Sequence, residues 1–493
     1  MTWKTAPEEV LGRLERLRQE DAPAHGGRML AYVYDSGDPR IDALAAEAIR
    51  RMQPVNGLDP TTFRSVAVIE REVVAFSKRL FHGGDDVVGT ATTGGTESCL
   101  LAVKTARDAW RAAGGSGTPR VIMPITAHAA FRKAAALLDV TLDIVSVDPG
   151  TGRPDPDDLV SRLGQDAALV VLSAPCYPFS CIDPIAEVAP HAAQLGVPVH
   201  VDACLGGFAL GFWDRDEPGA PSGPWDFGVR GVTSLSADLH KYGYAPKGVS
   251  VLLQRGRDRQ RHQWFATSTW PGYPVVNSTL LGSKSAAPLA AAWAIISVLG
   301  PEGFRELTTS IATSWGRLRQ TLERIEGLQV VGDPVGPMLS VATDPDVPEA
   351  DRVDPHHWAD AMRRHGFIVQ HQPRCPQPDG SILPATAHVT ITPVTKRVAG
   401  DFERAARAAA DDVRGMPHLD GAALAADLLG EAARHAPSRR VDADTAAAMI
   451  QRVGLSGDAA LGDMAPVLAL VEALPPKLVG SLVIELLARR IEG

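Results

Sequence analysis

The segment LSADLHKYGYAPKGVSVLL, residues 235–253, sets His240, Lys241 and Lys247 inside an apolar, glycine-punctuated run that reads as strand, turn, strand. Lysines are ordinarily solvated turn residues; here either one is also placed to be a nucleophile in an interior site. Upstream, from about residue 85, short β-branched runs (RVIMPI, TLDIVSV, ALVVLSA, PVHVDA, VTSLSA) alternate with helical stretches such as GTESCLLAVKTARDAW, HAAFRKAAALL and DPIAEVAPHAAQLG. That alternation predicts an α/β fold with an open, mostly parallel central sheet flanked by helices. Such sheets bind ligands beyond the carboxyl ends of their strands, so chemistry is sought there.

Outward from this region, residues 1–80 read as an N-terminal helical segment in which Val10, Leu11, Leu14 and Leu17 recur at helical intervals. Residues 81–300 form the large α/β domain. Residues 301–415, with PMLSVAT, HHWADAMRRHG, FIVQHQ and AHVTITPV, predict a smaller α+β domain, and the Ala- and Leu-rich stretch 416–493 a helical appendage.

The chain has 493 residues, 45% hydrophobic and 22% charged, which is a soluble globular composition. A net charge of -9 without a dense Lys/Arg run argues against nucleic acid or anionic lipid and favours a small-molecule partner. Cys99, Cys176, Cys181, Cys204 and Cys375 form no C-x-x-C pair, so a reduced, cytoplasmic protein is expected rather than a disulfide scaffold. The apolar run PLAAAWAIISVLG is shorter than the roughly 20 residues of a membrane helix, so no transmembrane segment is expected. His356, His357, His365 and His371 lack a metal-binding spacing, and no metal site is expected.

Four positions at predicted strand ends carry chemistry. Gly94, Gly95 and Thr96 open a helix and are either a tight turn with Thr96 as cap or a cradle of free amides for an anion. His128 opens the next helix, as a cap or as a flat imidazole face against an aromatic ring. Asp202 ends the apolar strand VPVHVDA, where a carboxylate is costly unless it caps a turn or meets a cation. Lys241, beside His240, is the fourth. Anion cradle, flat ring, carboxylate and amine, in that order, are what pyridoxal 5'-phosphate requires for its phosphate, ring face, pyridine nitrogen and aldehyde.

These segments resemble those of the pyridoxal-phosphate-dependent sphingosine-1-phosphate lyases, within the decarboxylase-like enzymes of fold type I. TTGGTES, AHAAFRKAA, HVDACLGGF and SADLHKYGYAPKG are similar to that family's motifs and stand in its order. The resemblance implies Lys241 as Schiff-base lysine, Asp202 as pyridinium partner, His128 as ring-stacking residue, and Gly94, Gly95, Thr96 and His240 at the phosphate. It further implies catalytic roles for Tyr34, Tyr177 and Lys247, and substrate contacts for Asn56 and Lys284. By residue chemistry alone, Tyr34 and Tyr177 are equally readable as amphipathic core residues.

The chain departs from the family in two places: Asp59 stands where the family has histidine, and WPGYPVVNSTLLGSKSA lacks the aligned tyrosine and has Lys284 for an arginine. Lysine cannot grip an anion with two parallel bonds, so substrate recognition is expected to differ. The implied reaction is cleavage of the Cα–Cβ bond of a β-hydroxy amine, phosphorylated or not, to an aldehyde and an amine. An amino-acid α-decarboxylase and a noncatalytic cofactor- or partner-binding homologue are the alternatives. The resemblance also implies a homodimer with NSTLLGSK contributed across its interface.

Overall fold

The computed structural model of the chain describes residues 3–429, 441–452 and 462–492. Helix α1 (Pro7–Arg18) buries none of its residues and leaves Val10, Leu11, Leu14 and Leu17 exposed. Helices α2 (Pro39–Met52) and α3 (Arg64–Leu80) follow. Asp38 caps α2 by accepting from Arg40 N, and proline fits its first turn, where no amide partner is lost.

The alternation then yields β1 (Val87–Thr92), α4 (Gly95–Ala112), β2 (Arg120–Pro124), α5 (Ala129–Leu138), β3 (Thr141–Val145) and α6 (Pro156–Ser161). It continues with β4 (Ala167–Ser173), α7 (Ile185–Gln194), β5 (Val199–Asp202), α8 (Gly207–Leu210), β6 (Val232–Ala237) and β7 (Ser250–Arg255). These strands make one sheet in the order β1-β7-β6-β5-β4-β2-β3. Neighbours from β3 through β6 pair in parallel, while β7 runs antiparallel to β1 and β6. The strand-turn-strand reading of residues 235–253 is therefore β6, the Lys241 turn and β7. Strands β4 and β5 are buried along their whole length, as parallel strands covered on both faces must be.

After α9 (Arg257–Arg261) and the short pair β8 (Phe265–Thr267) and β9 (Val275–Asn277), α10 (Ala287–Glu323) crosses to the small domain. That domain contains β10 (Leu328–Val330), β11 (Met338–Thr343), α11 (Pro355–Arg364) and β12 (Gln370–Gln372). It is completed by β13 (Cys375–Pro376), β14 (Ile382–Leu383), β15 (Thr386–Thr390) and α12 (Thr395–Val413). Its antiparallel sheet has the order β10-β11-β15-β12. The described C-terminal helices are α13 (Gly421–Leu429), α14 (Ala443–Arg452), α15 (Ala465–Ala473) and α16 (Pro476–Glu492).

By length and composition α10 is long and apolar enough to cross a membrane, which the apolar run alone did not signal. Gly300, at φ 54°, and Pro301 break it into two, and it packs against α2, α3 and α12 with Ile295, Phe304, Ile311 and Trp315 buried. The N-terminal segment is tied into the small domain: Leu30 N donates to Ile368 O at 2.8 Å, and Thr390 N to Leu30 O at 2.8 Å. That tie delivers Tyr34 to the sheet. Tyr242 OH, donating to Ile391 O at 2.8 Å, joins the Lys241 turn to the same domain.

Candidate active site

Parallel register brings the ends of β4, β5 and β6 level, with Ser173 opposite Asp202 and Asp202 opposite Ser236. The chain leaving these ends encloses a cavity of about 1050 Å³. Gly94, Gly95, Thr96 and His128 line it from the starts of α4 and α5. Asp202, His240, Lys241 and Lys247 line it from β5 and the β6–β7 turn, and Tyr34 and Tyr177 from the N-terminal segment and the loop after β4.

Asn56 and Lys284 do not line this cavity. Asn56 Oδ1 accepts from Lys284 N at 3.3 Å, and Lys284 Nζ donates to Thr279 Oγ1 at 3.1 Å. Lys284 faces a second cavity of about 430 Å³, with Gly57, Glu70 and Arg257. Asp59 is spent on its own turn, accepting from the amides and hydroxyls of Thr61 and Thr62.

The cap of α4 is Gly94, not Thr96. Gly94 has φ 151°, a conformation side chains disfavour, and no side chain caps the helix, so its first-turn amides lack intrahelical acceptors. Glu97, which the sequence reading passed over, shapes the approach: Oε2 accepts from Thr93 N at 2.6 Å and Oε1 from Leu280 N at 2.6 Å. A glutamate three residues after a helix cap was the available signal. His128 is the cap that the sequence allowed, its Nδ1 accepting from Ala130 N at 3.2 Å, and it also lines the cavity.

Asp238 was also passed over. It is buried, with Oδ2 3.0 Å from Lys241 Nζ and 3.4 Å from His240 Nε2, while Oδ1 has no hydrogen-bond partner. Burial opposes its charge, but Lys241 and His240 prevail and hold it well below the ordinary carboxylate range. Burial likewise opposes the charge on Lys241, and Asp238 holds that amine above its ordinary range. His240 Nδ1 accepts from Val249 N at 3.2 Å, which leaves Nε2 to donate to Asp238. Asp202 Oδ1 accepts from Cys204 N at 3.0 Å. The Cys99 and Cys204 thiols and the Asp202 carboxylate lie within 4.8 Å of one another, a grouping that cysteine spacing along the chain could not signal.

Lys247 Nζ sits 4.5 Å from the centre of the Tyr34 ring and donates to His240 O at 3.1 Å. Burial and the neighbouring Lys241 bring it down to about 8, against the opposite pull of Asp238. Tyr34 is edge-on to Tyr242 at 5.1 Å and is pushed up to about 12, first by burial. Tyr177 stacks on His388 at 4.3 Å and burial raises it too. Both tyrosines thus have a core contact and a cavity edge at once. The four histidines of α11 and its surroundings pair separately, His356 with Glu472, His357 with Pro417 O, His365 with Asp412 and His371 with Asp360.

The residues fit pyridoxal phosphate. A Cβ on Gly94 would stand 3.3 Å from His240, and one on Gly95 2.7 Å from Asp238 Oδ2, so only glycine leaves the cradle open. The free amides, the His128 ring, Asp202 and Lys241 share one cavity. Residues 62–309 match the pyridoxal-dependent decarboxylase conserved domain, and residues 419–489 match the pyridoxal-dependent enzyme C-terminal putative HTH domain. The chain is similar to sphingosine-1-phosphate lyase of Oryza sativa, 33% identical over 83% of this chain and 74% of the relative.

It belongs to the sphingosine-1-phosphate lyase family.

Sphingosine-1-phosphate lyase 1 of Rattus norvegicus is 38% identical over 66% of this chain, which spans 57% of that relative's length. A solved sphingosine-1-phosphate lyase of Burkholderia pseudomallei superposes with a TM-score of 0.76 at 31% identity, covering 83% of this chain and 92% of that one. Glutamate decarboxylase of Lactobacillus brevis, at 20% identity and a TM-score of 0.71, covering 85% of this chain and 95% of that one, shares the fold. Pyridoxal 5'-phosphate is the family's cofactor, and Lys241 is among the residues that line the cavity.

Proposed function

We propose that the chain is a lyase that cleaves the Cα–Cβ bond of a phosphorylated long-chain β-hydroxy amine, giving a long-chain aldehyde and a short phosphorylated amine. The observation that carries this reading is Lys247, a second amine in the Lys241 cavity, brought down to about 8. Cleavage at Cα–Cβ needs an acceptor for the β-hydroxyl proton, and loss of carbon dioxide does not; an acceptor works best when its pKa is near the operating pH.

In this reading the first-turn amides of α4 and His240 would hold the cofactor phosphate, His128 would face its ring, Asp202 would serve its pyridine nitrogen and Lys241 its aldehyde. When bound, the cofactor supplies the sink for the electron pair left at Cα. Lys247 Nζ accepts the β-hydroxyl proton while the carbon–carbon bond breaks and the hydroxyl oxygen becomes the aldehyde carbonyl. A proton delivered to Cα completes the amine. Tyr34, held at about 12, stays a phenol at neutral pH and keeps Lys247 in place through its ring face. Leu280, Leu281, Leu383 and Phe179 supply apolar wall for a long chain.

We read the protein further as a cytoplasmic homodimer. Phe265, Trp270, Tyr273, Val276, Leu280 and Leu281 are exposed on and beside the β8–β9 pair, an apolar surface suited to a second copy, and the five cysteines are free thiols. Such a dimer would allow Asn56 and Lys284 to serve a neighbouring site. The test is product identification with purified, cofactor-loaded chain: a phosphorylated long-chain amino alcohol yields the aldehyde. Carbon dioxide from an amino acid, with no aldehyde from any amino alcohol, refutes the lyase reading.

A further inference from the structure

Gln370, His371, Gln372, Pro373 and Cys375 line the cavity from the small domain, yet none enters the chemistry above. They belong to β12, the link after it and the start of β13. β12 is an edge strand, paired to β15 alone, so half of its backbone groups have no ladder partner to fix them.

What holds this wall is α15, from the C-terminal appendage. Asp360, buried on α11, has Oδ1 3.1 Å from His371 Nε2 and accepting from Met464 N at 2.8 Å, while Oδ2 accepts from Ala465 N at 2.8 Å. One carboxylate thus joins a cavity histidine to the start of α15. At the other end of that helix, Glu472 Oε1 accepts from Arg374 N at 2.9 Å and lies 3.1 Å from His356 Nε2. Glu472 Oε2 lies 2.8 Å from His418 Nε2, whose Nδ1 is 2.7 Å from Asp354 Oδ2. The wall is therefore clamped to one helix on both sides of Pro373. Hydrogen bonds that involve a charge are the stronger kind, and their directionality fixes the backbone that donates to them.

We infer that α15 braces the cavity wall, with Asp360 and Glu472 as positioning residues that set Gln370 to Cys375 and through them the affinity for the amine substrate. This rests on the reading that an amine enters the Lys241 cavity. It gives the C-terminal appendage a role at a site whose lining comes from the three preceding parts of the chain.

The test uses the full chain loaded with cofactor and reads two things: amine binding, from the change in cofactor absorbance, and hydrogen exchange of the peptide containing residues 370–375. The probe is a phosphorylated long-chain amino alcohol, with a plain alkylamine beside it. In Glu472→Ala and in Asp360→Ala the apparent Kd for the probe is expected to rise about tenfold or more, because sub-ångström misplacement of a positioning wall is costly. Exchange at 370–375 rises, while cofactor absorbance and kcat stay near wild type. Glu472→Gln, which keeps an acceptor oxygen, falls between. Unchanged amine affinity or unchanged exchange in these variants overturns the brace, and so does loss of cofactor in step with loss of amine affinity. Amine binding is read without turnover, so a wild-type chain that binds the probe and cleaves nothing refutes the lyase reading while the brace is still measured.

Discussion

Lys241 Nζ lies 3.0 Å from Asp238 Oδ2, and the same carboxylate packs against Gly95 at the start of α4. The Lys241 amine and the glycine turn that opens α4 are therefore coupled through one buried acid. Only the neutral amine attacks a carbonyl carbon, and Asp238 holds Lys241 charged. Asp238→Asn removes the cause that raises Lys241 and leaves burial, which lowers it. The pH midpoint for cofactor capture by the cofactor-free chain should move down by about 1 to 3 units, the usual range for one close opposite charge. Stopped-flow absorbance across pH measures it, and an unmoved midpoint contradicts the coupling.

Gly95→Ala tests the cradle through space alone. Its new Cβ would stand 2.7 Å from Asp238 Oδ2 and 3.0 Å from Cys204 Sγ, both buried and unable to give way. The cofactor-free chain should unfold at a lower temperature, since overpacking costs about 1–3 kcal/mol, and in the fraction that stays folded cofactor affinity should fall about tenfold or more, a difference of about 1.4 kcal/mol. Equal affinity would mean that the phosphate binds elsewhere.

Lys247 should appear in the pH profile. Its pKa is depressed to about 8, so the free base grows as pH rises through that value, and kcat/KM should climb with it. Lys247→Arg keeps the charge but cannot lose its proton, so the climb should vanish and kcat drop by roughly 10² to 10⁴. An Arg variant that retains the inflection assigns the proton to another group.

The docking of the appendage should depend on pH through His418. Asp354 and Glu472 raise this imidazole from 6.5 to about 9, so its contribution to stability is complete below 6.5 and is lost as pH climbs through about 9. The difference in Tm between wild type and His418→Gln should therefore be largest below 6.5 and close above 9. A difference that stays constant over that span removes His418 from the clamp.

The parts of the site that the sequence disclosed are those that a local pattern encodes. Asp202, His128 and Lys241 follow strands with a clear β-branched signature, and parallel pairing brings the ends of β2, β4, β5 and β6 together; Gly94 to Thr96 follow β1, which joins the sheet through the antiparallel β7. Asp238 escaped because a carboxylate beside an apolar strand end looks like a turn residue until Lys241 folds back on it. Glu97 escaped because its partner, Leu280, is far along the chain. The cavity wall at 370–375 and its clamp by Asp360 and Glu472 depend on three separate segments meeting, which periodicity within one segment does not record. Of the two residues assigned by resemblance, Lys284 lines a neighbouring cavity and Asn56 accepts from its backbone amide.

Asp202→Asn separates an electronic role from a packing one. The amide keeps the shape and can still accept from Cys204 N, but loses the charge that pairs with a protonated ring nitrogen. Activity should fall at least about 100-fold, about 2.7 kcal/mol of barrier, with cofactor still bound by absorbance. Near-normal activity makes Asp202 a turn residue only.

Borohydride reduction of the cofactor-loaded chain, followed by proteolysis and mass spectrometry, reads the covalent anchor directly. The peptide spanning the β6–β7 turn should carry one reduced cofactor at Lys241, and Lys241→Ala should carry none. Label on Lys247 or another lysine, or label that persists in Lys241→Ala, would show that the amine at the end of β6 does not hold the cofactor.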